Sequence, residues 1–136
     1  MTLNAKDYAL RPRQAEWEHD LARELRAFPE AVRLQFVLEL LPHRLIVALD
    51  LARKCLQEKH SLESVLERGL AEGDSSTIQE WLKCVLPHLG VRHVVRYLQE
   101  NASRYPKGVQ IAAYWLPGLL QESERSKVDW SALSAS

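Results

Sequence analysis

The amino-acid sequence predicts an all-α protein, a stack of six to seven short antiparallel helices, and three observations carry that expectation. Apolar residues recur at three- and four-residue spacing through nearly every periodic segment, which places them on one face of a helix. No segment shows the apolar–polar alternation of a half-buried strand. Breaks marked by proline or glycine separate one stripe from the next. The 136 residues, 46% hydrophobic and 26% charged, suit one α-helical domain spanning 1–136 with a moderate core. The segments 1–13 and 123–136 are polar and are expected to fray.

The elements follow in order. Trp17, Leu21, Leu25 and Phe28 form the first stripe, and Pro29 ends it while serving as the first residue of the next helix, where its missing N–H is no loss. From Glu30 to Leu41 the chain is apolar almost all round, which predicts a helix covered on more than one side. Pro42 ends that helix by pushing Leu41 away from helical angles. A third helix is expected from about His43 to Glu58, with Leu45, Ala48, Leu49, Ala52 and Leu56 inward. Ser61 reads as the N-cap of a helix carrying Leu62, Val65, Leu66 and Leu70, with Ser64 where a capping box has Glu or Gln. Gly73 to Ser76 is a loop, and Ser76 or Thr77 caps a helix with Ile78, Trp81, Leu82, Val85 and Leu86 that Pro87 ends. Val91, Val94, Val95, Leu98 and Ala102 form the next stripe, and Tyr105 to Gly108 a turn. Ile111, Ala112, Trp115 and Leu116 belong to the last main helix, broken at Pro117-Gly118; Val128, Trp130 and Leu133 can dock as one short turn.

An internal echo runs through these elements. Phe36-Val37 and Leu41-Pro42-His43 lie 45 positions before Trp81-Leu82 and Leu86-Pro87-His88. With Gly90 as an extra residue, Leu45, Ala48, Leu49, Leu51 and Ala52 then fall on Val91, Val94, Val95, Tyr97 and Leu98. The repeat-like units span about 30–73 and 75–122. On Val91-Arg92, Val94-Val95, Leu98 and the preceding Leu86-Pro87, residues 30 to 122 resemble the HEAT/armadillo superfamily of α-helical repeats, whose period of about 40–47 residues the echo fits. The first copy departs from that pattern, having Ile46-Val47 without the Arg, and no Asp precedes Val91. The resemblance implies an α-α superhelix that binds proteins and sometimes nucleic acid; a compact helical bundle is the alternative. Each unit would have an apolar face sealed by its neighbour.

Composition excludes several classes. Eighteen Lys and Arg balance eighteen Asp and Glu, so no overall basic excess points to nucleic acid or an anionic membrane. The stretch from Met1 to Leu10 has no apolar run of a signal peptide, and Val32 to Leu51, the most apolar segment, is broken by Arg33, Glu39, Arg44 and Asp50. Two cysteines, Cys55 and Cys84, make no disulfide framework, and the cytoplasm is the expected setting.

Chemistry-bearing patterns are sparse. Glu16-x-x-His19 has the spacing of one di-iron half-site, but no second such pair exists, and His19-Asp20 alone is a two-residue coincidence. Cys84, His88 and His93, with Cys55 and His60 elsewhere, lack the tight spacing of a zinc site; Cys55 reads as a small buried hydrophobe. There is no Gly-x-Ser-x-Gly and no glycine-rich phosphate loop, so neither catalytic activity nor cofactor nor metal is expected. Between His88 and Lys107, Arg92, Arg96, Arg104 and Lys107 face Glu100 alone, with His93 and Tyr97 interleaved. These six residues, Arg92, His93, Arg96, Tyr97, Arg104 and Lys107, are the candidate partner-binding surface. From Ser61 to Glu80 the sign reverses, with Glu63, Glu67, Glu72, Asp74 and Glu80 against Arg68. Opposite-sign patches suit a protein partner or a second copy; nucleic acid held on the Arg92/Arg96 face is the alternative. Of the four tryptophans, Trp81 and Trp115 are expected in the core, and Trp17 and Trp130 under terminal segments.

Overall fold

The computed structural model describes residues 4–9 and 15–130. They form α1 (Ala5–Ala9), α2 (Ala15–Leu25), α3 (Glu30–Leu40), α4 (Leu45–Cys55), α5 (Lys59–Glu72), α6 (Ile78–Leu89), α7 (Val91–Glu100), α8 (Pro106–Trp115), a 3-10 turn (Leu116–Leu119) and α9 (Glu122–Arg125). No strand occurs among the described residues, so the fold is all-α. The elements beyond the expected six or seven are the short α1 and α9, in the segments expected to fray. Leu133 lies outside the described residues, as does the side chain of Glu16. The chain divides into two compact units, residues 1–62 and 63–136, with the division inside α5.

In the first unit α3 packs against α4 and α1, and α2 against α4. The core is built from the predicted stripes: Leu21 and Leu25 of α2, Phe36, Val37 and Leu40 of α3, and Ala48, Leu49 and Ala52 of α4 are buried. Tyr8 of α1 lies over Trp17 at 5.6 Å and meets the Phe36 ring edge-on at 6.0 Å, so this part of the N-terminal segment is ordered by aromatic packing. Helix α3 is less enclosed than expected: Ala31 is exposed and Val32 is 44% exposed. Leu41 keeps helical angles before Pro42 (φ −50°, ψ −47°), and the turn follows it. Helix α4 is shorter than expected at both ends, starting at Leu45 and ending at Cys55.

The ends of these helices are tied by one pair of side chains. Arg33 donates from Nε to the Phe28 carbonyl (2.8 Å), from Nη1 to the Cys55 carbonyl (2.9 Å) and from Nη2 to the Arg26 carbonyl (2.7 Å). These carbonyls are those left over at the C-terminal ends of α2 and α4, where a cation also meets the negative end of the helix dipole. Glu30, 3.7 Å from Arg33, accepts from the backbone N–H of Gln57 (3.1 Å) and Glu58 (3.2 Å), at the N-terminal end of α5. Ser61, expected as the N-cap there, is instead buried in the first turn of α5. A carboxylate offers a stronger acceptor than a hydroxyl to a positive helix end. Burial works to raise the Glu30 carboxyl, but the Glu58 and Gln57 N–H groups and the Arg33 guanidinium help hold it below the usual carboxylate range.

The second unit centres on α6, which packs against α7, α8 and the 3-10 turn. Trp81, Leu82, Val85, Val94, Leu98, Ala112 and Leu116 are buried in its core. Two helical glycines set how closely the helices approach. A Cβ on Gly69 would stand 2.6 Å from the Trp81 ring, and one on Gly108 only 2.1 Å from the Leu70 carbonyl oxygen. Thr77 precedes α6 without a side-chain capping bond, and the preceding turn is organised by Asp74, which accepts from the Ser76 N–H and hydroxyl. The Thr77 hydroxyl instead accepts from the Trp81 indole N–H at 3.4 Å.

Two boundaries and the burial of one tryptophan in this unit differ from expectation. Pro87 does not end α6; it is exposed in the last turn, where the loss of one backbone bond is cheapest, and the helix stops at Gly90 (φ +84°). Tyr105 to Gly108 is not a free turn, because Pro106 opens α8 as its first residue. Trp115 is half-buried, not core, and the exposed Tyr114 meets it edge-on at 5.2 Å. The Trp130 indole N–H donates to the Arg125 carbonyl at 3.0 Å, which docks the residue on α9.

Arg33→Ala leaves three carbonyls without their shared donor and Glu30 without its neighbouring cation, and is expected to lower stability by about 2–3 kcal/mol in urea unfolding followed by circular dichroism. Glu30→Gln is expected to lower the melting temperature at neutral pH. A depressed carboxyl contributes its stability above the unfolded-state value and loses it as pH falls through the folded-state value. The gap between the two proteins should therefore be constant above about pH 5 and close as the pH falls below about 4.

Candidate interaction surface

The candidate surface is organised by α7, whose Val94, Val95 and Leu98 face the core while Arg92, Arg96, Gln99 and Glu100 are exposed. His93 and Tyr97 lie between these faces, half-buried. Their surroundings are acidic, because α5 supplies Glu63 and Glu67 to the same place. His93 Nε2 is 2.7 Å from Glu63 Oε2, with the His93 side chain 14% exposed. Arg104 donates from Nη1 to Glu67 at 3.2 Å, and its guanidinium lies 5.3 Å from the centre of the Tyr105 ring. Tyr97 is pushed up to about 12, first by burial and then by Glu67 and Glu63, which disfavour a further negative charge. Lys107 lies beside the Gly73–Asp74 turn; Asp74 is held low first by the Ser76 hydroxyl and N–H, with Lys107 adding to the effect.

The six candidate residues thus fall into two groups. His93, Tyr97, Arg104 and Lys107 face the carboxylates of α5 and the turn after it. The acidic stretch from Ser61 to Glu80 is their counterpart within the same unit, so much of what reads as two opposed surface patches is an internal pairing. Arg92 and Arg96 remain outward, one helical turn apart. Arg96 approaches Glu100 at 3.8 Å, both side chains about two-thirds exposed, an arrangement worth little in water. Arg92 makes no ion pair among the described residues and borders an open concavity of about 310 Å³, shared with Leu89, Gly90, Val91, His93, Glu124 and Lys127.

Glu124 and Lys127 were not legible as site residues, since the tail reads as polar and frayed. What orders it is a capping box: the Gln121 side chain accepts from the N–H of Glu124, and Glu124 Oε1 accepts from the N–H of Gln121 at 3.2 Å. A polar residue followed three positions later by Glu was the available sign.

The other constellations do not assemble. Cys84 is buried and His88 exposed, so the two do not converge, and no group of three His, Cys, Asp or Glu able to hold a metal occurs among the described residues. Cys55 is fully buried, its thiol donating to the Ala22 carbonyl at 3.5 Å, and burial pushes it above the ordinary thiol range. His19 is exposed on α2. No helix is long and apolar enough to cross a membrane, among the described residues. A second concavity, of about 330 Å³, lies in the first unit along Leu25, Phe28, Val32 and Phe36.

Set beside models of known protein families, curated proteins and solved structures, the chain matches none.

The Tyr97 environment has a direct optical signature. In an alkaline absorbance titration of the four tyrosines, the component lost in Tyr97→Phe is expected to ionise near pH 12, later than an ordinary tyrosine at about 10.

Proposed function

We propose that the chain is a non-catalytic protein-interaction module, an adaptor or small assembly unit built from helix pairs of the HEAT/armadillo kind. The echo supports the repeat reading: α4 and α7 begin at the matched residues Leu45 and Val91, and each follows a helix with a buried aromatic at the matched place, Phe36 or Trp81. The observation that carries the functional reading is the neutralisation of the basic strip by α5. Non-specific nucleic-acid binding draws its affinity from many cation–phosphate contacts. With His93 on Glu63 and Arg104 on Glu67, α7 is left with Arg92 and Arg96 for that purpose, and Tyr97 is half-buried beside the same acidic helix. Two outward arginines on a rigid helix suit a protein interface, where arginine is enriched among the residues that dominate binding energy.

Crosslinking in an extract of the source cells is expected to recover a protein partner or a second copy of the chain, with recovery reduced by Arg92→Glu combined with Arg96→Glu. Recovery of neither, together with nucleic-acid binding that falls steeply as salt rises, would overturn the proposal in favour of the nucleic-acid alternative.

A further inference from the structure

We infer that the outward face of α7, with the concavity at its N-terminal end, takes a short acidic peptide segment carrying an apolar anchor residue. The inference rests on the protein-interaction reading and names the chemistry of the partner at that surface.

Charge complementarity argues for it. The inward cations His93 and Arg104 are paired with carboxylates, whereas Arg92 makes no ion pair among the described residues, and Lys127 lines the same concavity. Arg96 lies one turn further along α7, about 6 Å away by helix geometry. Carboxylates four apart on a helix, or two apart on an extended chain at about 7 Å, match that separation and can be held bidentately by the two guanidinium groups. Leu89 and Val91 supply an apolar part of the same lining, against which a side chain of the partner can be buried.

Acidic groups at both ends limit the length of the ligand. Glu124 lines the concavity, and Glu100 stands at the far end of α7. A long polyanion laid along α7 would set many charges against these carboxylates, whereas an acidic segment a few residues long can place its two carboxylates on Arg92 and Arg96. The same arrangement disfavours a nucleic-acid strand, which also offers no aliphatic side chain for Leu89 and Val91.

Fluorescence anisotropy on the full chain tests this with three labelled probes: a peptide with a Glu-Leu-Glu core, its Gln-Leu-Gln isostere, and a single-stranded oligonucleotide of equal net charge. The acidic peptide is expected to bind at least about tenfold more tightly than the isostere and the oligonucleotide. The Arg92→Glu, Arg96→Glu double variant, with an unchanged circular dichroism spectrum, should lose that preference and gain one for a Lys-Leu-Lys peptide. Equal binding of the Glu and Gln peptides, tighter binding of the oligonucleotide, an acidic preference that survives the charge reversal, or no binding of any peptide each overturns the inference. If the peptides fail while crosslinking still recovers a partner, the interaction reading stands and only the acidic-segment inference falls.

Discussion

Three helix ends in the first unit converge on the first turn of α3. Arg33 gathers carbonyls from the ends of α2 and α4, and Glu30 takes the N–H groups at the start of α5. The partners come from a distance in the chain: Arg33 reaches the Cys55 carbonyl at the end of α4, and Glu30 reaches the N–H groups of Gln57 and Glu58 before α5. Helix ends leave polar groups that must find partners, and here two side chains, 17% and 15% exposed, satisfy them together. The apolar stripes of α2, α3 and α4 can bury against one another because their termini are held in place by this pair.

The second unit is governed by close approach and then by charge. Gly69 and Gly108 remove the side chains that would otherwise hold α5 away from Trp81 and α8 away from Leu70. With α5 brought in, its carboxylates stand beside His93 and Arg104. The polar surface of this unit is therefore partly consumed in its own assembly, and what remains outward is narrower than the composition of the segment implies.

The class of fold and the location of most helices were legible because apolar periodicity is a local property. Leu21 and Leu25, Trp81 and Leu82, and Val94, Val95 and Leu98 are buried as their spacing requires. What was not legible depends on partners distant in the chain. Ser61 looks like a cap until Glu30, far upstream, supplies a better acceptor. The same Leu-Pro-His sequence ends a helix at Pro42 and lies inside one at Pro87, because the later helix has Gly90 at which to stop. Of the candidate surface, Arg92, His93, Arg96 and Tyr97 lie on α7, Arg104 in the turn after it and Lys107 in α8, and the pairing of His93 and Arg104 with Glu63 and Glu67 depends on the packing of α5, which spacing along the chain does not show. Trp115 shares a stripe with Ala112 and Leu116 yet is only half-covered, since its neighbour Tyr114 turns to solvent and nothing among the described residues closes over that edge.

Gly90 joins α6 to α7 with a single residue in a left-handed conformation. A joint of that length leaves little slack, and α6 packs against α7, so the bearing of Arg92 and Arg96 depends on the backbone angles of a residue that has no side chain. During divergence the outward arginines are free to drift, whereas an insertion or a deletion at the joint would shift α7, and a side chain there would have room but a strained backbone. Novelty on this face is therefore far more accessible through what α7 displays than through the direction in which it points.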